Sequence, residues 1–120
     1  MADLAPPSAE TGPAAFRPGQ VMTVFRSRLR PDAGREYVDT ATEMLTLAQA
    51  MPGFVDFKSF AADDGERVSL VTFADPEAQR TWREQVDHRA AQQAGRDRFY
   101  AEYRIQVGTC TSAHAFTAPT

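Results

Sequence analysis

Cysteine is almost missing from this sequence. Cys110 is the only one in 120 residues, so the chain cannot close a disulfide on itself and holds no Cys/His spacing of the zinc type. The histidines are His88 and His114, too far apart and too poorly supported by carboxylates to read as a metal site. Positive charge is not in excess either: 13 Lys and Arg stand against 16 Asp and Glu, which leaves no basic footprint for nucleic acid. No run approaches the roughly 18 apolar residues of a membrane helix. The opening Met1-Ala-Asp-Leu-Ala-Pro-Pro lacks the charged and apolar regions of a secretory signal. Glycines are scattered singly, which excludes phosphate loops, dinucleotide fingerprints and nucleophile elbows. What remains is a cytoplasmic protein with no nucleic-acid or membrane partner.

Bulky packing material is plentiful by contrast: eight Phe, three Tyr and one Trp, in a length that suits one domain with one core. Residues 1–18 carry Pro6, Pro7, Pro13 and Pro18 among Ala, Ser and Gly. Such a stretch cannot bury enough apolar surface to offset its ordering, and it predicts a flexible tail. Residues 117–120 predict a shorter one, leaving a domain over 19–116. Within it, Val21–Leu29 is β-rich and stops before Pro31. Asp32 is placed to cap a helix over Ala33–Met51, in which Tyr37, Ala41, Met44, Leu45 and Ala48 recur at helical spacing. Pro52 and Gly53 end it. Phe54–Phe60 and Val68–Phe73 read as strands joined by a turn at Asp63-Asp-Gly-Glu66, whose acidic residues are expected in solvent. Asp75-Pro-Glu77 opens a second helix, with a capping aspartate, a proline at the first position and a glutamate at the positive end. Its pattern carries to about Glu102, with a bend near Val86 or Gly95. Tyr103–Thr111 is the last strand. The order β-α-β-β-α-β is the ferredoxin-like arrangement of an α+β domain.

Such a fold sets both helices on one face of an antiparallel sheet. The strands, however, carry apolar residues in both phases: Val55 and Phe57 in one, Phe54 and Phe60 in the other. Two apolar faces imply two burials, and a second copy of the same sheet is the simplest cover for the free one, giving a homodimer. Arg26, Arg28 and Arg30 alternate along the first strand and predict a one-sided stripe at an edge or interface, with anion binding as the alternative. In the second helix, His88, Gln92, Gly95, Phe99 and Tyr103 fall in one stripe at about 100° per residue. Trp82 lies on another. Polar groups beside aromatics there either line a ligand cavity or pack at the edge of the sheet.

Met51-Pro-Gly-Phe54, Ser69-Leu-Val-Thr-Phe73 running into Asp75-Pro-Glu-Ala78, Trp82-Arg83, His88-Arg-Ala-Ala-Gln92, Gly95-Arg96 and Tyr103-Arg104 together resemble the antibiotic biosynthesis monooxygenase family over about residues 20–115. The resemblance implies a dimeric α+β barrel with a pocket between helices and sheet. That family includes oxygenases that oxidise anthrones or quinols without metal or flavin, and enzymes that degrade haem. In the haem-degrading branch, a first-strand Asn, a second-helix Trp and a His ten residues later form the working set. The matching positions here are Ser27, Trp82 and Gln92. A glutamine amide is a poor axial ligand for iron, which leaves any haem to His88, one turn earlier. In the anthrone-oxidising branch a Trp ends the third strand, where this chain has Phe73.

The expectation that follows is a cofactor-independent monooxygenase acting on a small, electron-rich aromatic substrate and O₂. His88 would be base or proton relay, with Tyr100 and Tyr103 beside it in the catalytic set. Trp82 and Phe73 would be aromatic walls, Gln92 and Arg96 orienting donors, and Phe99 and Ser27 further substrate contacts. No metal is expected. Two alternatives stand beside it: a non-catalytic small-molecule-binding or pathway-accessory dimer, and a haem-binding or haem-degrading protein using His88.

Overall fold

β-Branched and aromatic residues alternate through the first strand, β1 (Val21–Leu29), as a pleated and half-buried surface requires. The computed structural model, which describes residues 15–85, Gln93 and residues 95–120, adds α1 (Gly34–Ala50), β2 (Phe54–Ala61), β3 (Arg67–Phe73), α2 (Pro76–Arg83) and β4 (Tyr100–Thr109). A π-helical turn at Gly95–Phe99 leads into β4. The strands form one four-stranded sheet in the order β2-β3-β1-β4, and every neighbouring pair is antiparallel. This is the ferredoxin-like α+β architecture.

Register decides which side chains meet. Thr23 faces Val71 and Val107, Phe25 faces Ser69 and Ile105, and Ser27 faces Arg67 and Tyr103. Side chains alternate along a strand, so these residues share the face covered by α1 and α2. Met22, Val24 and Arg26, with their opposites Leu70 and Val68, belong to the other face.

The core lies under the helices. Phe73 is fully buried and is joined by Val71, Trp82, Ala48 and Met51. The Phe73 and Trp82 ring centroids are 5.3 Å apart, and Phe54 meets Phe73 edge-on at 6.0 Å. Phe54 thus leaves the outer phase that simple alternation assigns it. The register shift between Phe54 and Asp56 is the cause, because a bulge re-aims the side chains on either side. Phe60 does stay on the outer face, opposite Val68, and is half exposed.

Helix ends follow the sequence unevenly. Asp75 caps α2, accepting from the Ala78 N–H at 2.8 Å. Asp32 does not cap α1. The Ala33 N–H donates to the Arg30 carbonyl at 3.1 Å, a turn that leaves Ala33, without a side-chain cap, next to Gly34. The first part of the second helix ends at Arg83, close to the bend expected near Val86. Gln93 and the π-helical turn at Gly95–Phe99 are again helical, but the last residues of the pattern are not. Tyr100 and Glu102 belong instead to β4, where they pair with Leu29 and Arg28. Cross-strand bonding at that end overrides local helical preference.

Glu66 departs from the expected solvated turn. It is buried, and it accepts from Arg26 at 2.7 and 2.9 Å and from Arg104 at 3.2 Å. Arg28 takes Asp64 at 2.8 Å and Glu102 at 3.3 Å. Arg26 and Arg28 of the β1 stripe are therefore occupied by the chain's own carboxylates rather than free for anions. Arg30 donates to the carbonyls of Tyr100 and Arg96. Among the described residues no helix is long and apolar enough to cross a membrane.

Candidate functional site

α1 presents Tyr37, Ala41, Met44 and Leu45 to the sheet, residues spaced so that they share one helical face. They do not close completely on the strands below. A cavity of about 390 Å³ remains between α1, α2 and the helix-facing side of the sheet, a size suited to a small organic molecule.

The cavity has two ends. Thr23 and Ser27 mark them along β1, four residues and so about 13 Å apart. At the Thr23 end stand Val71, Phe57, Met44 and Trp82, with the buried Gln79 amide donating to the Thr23 hydroxyl at 3.4 Å. At the Ser27 end aromatic rings gather. Phe25 lies 5.3 Å from Tyr100 and 5.4 Å from Tyr103, Tyr100 lies 5.6 Å from Tyr103, and Tyr37 lies 5.6 Å from Phe99. Burial, and next the neighbouring Tyr37 phenol, push the Tyr100 phenol well above the ordinary tyrosine value. Tyr100 therefore keeps its proton throughout the physiological range.

Hydroxyls run along the floor. Ser27 is buried, and the Ser59 and Ser69 hydroxyls are hydrogen-bonded at 2.7 Å. Arg67, the first residue of β3, lines the cavity beside them and is half-buried. The described residues that line the cavity include no histidine, cysteine or carboxylate. Among the described residues no group of His, Cys, Asp and Glu is placed to hold a metal ion.

Of the residues singled out from the sequence, Ser27, Trp82, Phe99, Tyr100 and Tyr103 all line this cavity. Phe73 does not. It lies buried against Trp82, supporting that ring rather than facing the space. Arg96 reaches the site through Tyr103, donating to its hydroxyl at 3.4 Å. Tyr103 sits on β4 and not on a helical stripe with His88. His88 and Gln92 lie outside the described residues, and so does the haem reading that depends on His88.

Sequence reasoning passed over Tyr37, Phe25, Gln79 and Arg67. Tyr37 was visible only as one more residue on an amphipathic helix. Phe25 and Arg67 carried a signal in strand alternation, since both fall in phase with Ser27 once β1 and β3 are paired in register.

The family model described as antibiotic biosynthesis monooxygenase matches residues 20–94. The uncharacterized protein YqjZ of Bacillus subtilis is 30% identical over 84 residues, 70% of this chain and 74% of that protein. Two solved structures share the fold. SnoaB, a cofactor-independent oxygenase from Streptomyces nogalater, aligns with a TM-score of 0.67 at 18% identity, over 79% of this chain and 96% of that one. Rv0793 from Mycobacterium tuberculosis aligns with a TM-score of 0.71 at 18% identity, over 80% of this chain and 99% of that one.

Proposed function

The chain belongs to the antibiotic biosynthesis monooxygenase family, and we propose that it is a cofactor-independent oxygenase for a small, electron-rich aromatic of the anthrone or quinol type. The observation that carries this reading is the cavity itself. It combines aromatic and apolar walls with a cluster of phenols, and no carboxylate stands among its described lining residues. A substrate that loses a proton there becomes an oxyanion in a water-poor space. Neutral phenols such as Tyr100 donate to that oxyanion, and no fixed negative charge repels it.

The chemistry balances without an added cofactor. An anthrone methylene loses a proton to give the enolate, whose electrons pass to O₂. A hydroperoxide forms at the same carbon, and loss of water leaves a carbonyl. One methylene and one O₂ thus yield one carbonyl and one water. The roles assigned are Trp82 and Phe99 as walls, Tyr100 as donor to the oxyanion, and Tyr103 as an orienting donor steadied by Arg96. His88 is the assigned base, from the sequence alone. A second copy of the chain covering the outer face, where Met22 and Phe60 are exposed, would complete the homodimer.

Oxygen uptake with anthrone, in the presence of a chelator and without flavin, tests the proposal. One O₂ consumed per anthrone, above the uncatalysed rate and reduced in Tyr100→Phe and His88→Ala, is the expected result. A requirement for flavin or a reductase would overturn it. Saturable anthrone binding with no uptake would instead make the protein an accessory binder. A Soret band that appears on adding haem and is lost in His88→Ala would make it a haem protein.

A further inference from the structure

We propose that the Ser27 end of the cavity is an anion subsite built on Arg67, and that the aromatic substrate carries a carboxylate there. The inference rests on the oxygenase reading only in taking the cavity to be the substrate site.

Arg67 differs from its neighbours on the sheet. Arg26 and Arg104 are both committed to Glu66, and Arg28 to Asp64 and Glu102. Glu66, although adjacent in sequence, turns to the opposite face to meet its arginines. Arg67 faces the cavity and forms no ion pair with any described residue. A half-buried guanidinium in a mostly apolar space, with no carboxylate among the described lining residues, is poorly compensated by the protein itself. Its planar fork matches a carboxylate in bidentate fashion.

The surroundings complete the subsite. Ser27 lies directly across the ladder from Arg67, and Tyr103 lies directly across from Ser27 on the other side. The Ser59–Ser69 hydroxyl pair lies on the same face. Hydroxyl-bearing side chains therefore flank the guanidinium on the cavity face and can serve the carboxylate lone pairs that it leaves free. The apolar end at Trp82 is about 13 Å further along β1, a span that suits fused rings bearing one terminal acid.

A matched pair of probes tests this without turnover. Isothermal titration calorimetry at pH 7 would compare 2-naphthoate with 2-naphthalenemethanol on the wild type, Arg67→Met and Arg67→Lys. The wild type is expected to bind the naphthoate roughly tenfold more tightly than the alcohol, the scale of a charge-assisted hydrogen bond. Arg67→Met should lose that preference while still binding the alcohol, and Arg67→Lys should keep part of it. Equal affinities in the wild type, binding of neither probe, or a preference that survives Arg67→Met would overturn the proposal. Arg83 also lines the cavity and is exposed, so a preference lost only in Arg83→Met would move the anion site there and count against Arg67. Oxygen uptake is a separate measurement: its failure would remove the oxygenase reading and leave the naphthoate preference standing, and the reverse holds equally.

Discussion

A Cβ placed on Gly53 would lie 2.7 Å from the Cβ of Ala78. The turn after α1 and the first turn of α2 therefore touch with no room between them. The contact is fastened by the Ala74 N–H, which donates to the Gly53 carbonyl at 2.7 Å. It sets the position of α2, and through α2 the position of Trp82 over the cavity.

Gly53→Ala should accordingly destabilise the fold by about 2 kcal/mol or more. The backbone there is left-handed, with φ +82°, and Ala78 is a rigid obstacle rather than a flexible side chain. Urea denaturation gives the value, and a loss near zero would show that α2 can shift freely.

Phe73→Ala should cost about 3–5 kcal/mol, a large share of the total for a domain of this size. The side chain is fully buried between Phe54 and Trp82. Since Phe73 supports the Trp82 ring, the tryptophan emission of the folded variant should also move to longer wavelength. Phe73→Leu, closer in volume, should show a smaller effect on both.

Glu66 makes stability depend on acid. The Arg26 hydrogen bonds, and then Arg104, hold its carboxyl below the ordinary carboxylate value, which is about 4.3 in an unfolded chain. The ion pairs therefore stabilise the fold above that value, and their contribution is lost as pH falls through the lower folded one. Glu66→Gln should melt at a lower temperature than the wild type at pH 7, with the gap closing below about pH 4. A gap that persists unchanged into acid would show that Glu66 acts through packing rather than charge.

Tyr100 has the opposite sign. Its phenol is raised by burial and by Tyr37, whereas an unfolded tyrosine ionises near pH 10. Above that pH the unfolded chain releases a proton that the folded chain retains, so stability falls as pH rises. Thermal melts from pH 8 to 11 should show a steeper alkaline decline in the wild type than in Tyr100→Phe. Parallel curves would show that the phenol ionises freely in the folded state.

Much of the fold is legible in the sequence. The strand boundaries of β1, the turn at Gly65, the aspartate cap and proline start of α2, and the β-α-β-β-α-β order are all local signals. Each depends on residues a few positions apart, and the structure keeps them. Family membership was legible as well, because the motifs around Trp82 and Asp75-Pro76 are themselves short and contiguous.

Tertiary structure decided what depends on distant residues. The bulge after Phe54 moved that ring into the core, and pairing with β1 drew Tyr100 and Glu102 from a helical pattern into β4. Glu66 could be read as solvated until Arg26 and Arg104 were brought to it across the sheet. No local signal marked Arg67, and only the ladder set it opposite Ser27 and facing the cavity. Local sequence specifies turns, caps and periodicity, since their energies act over a few residues. Which charges are neutralised, which phenols are buried and which cation is left facing a cavity are set by long-range register, and a one-residue slip would have reversed them all.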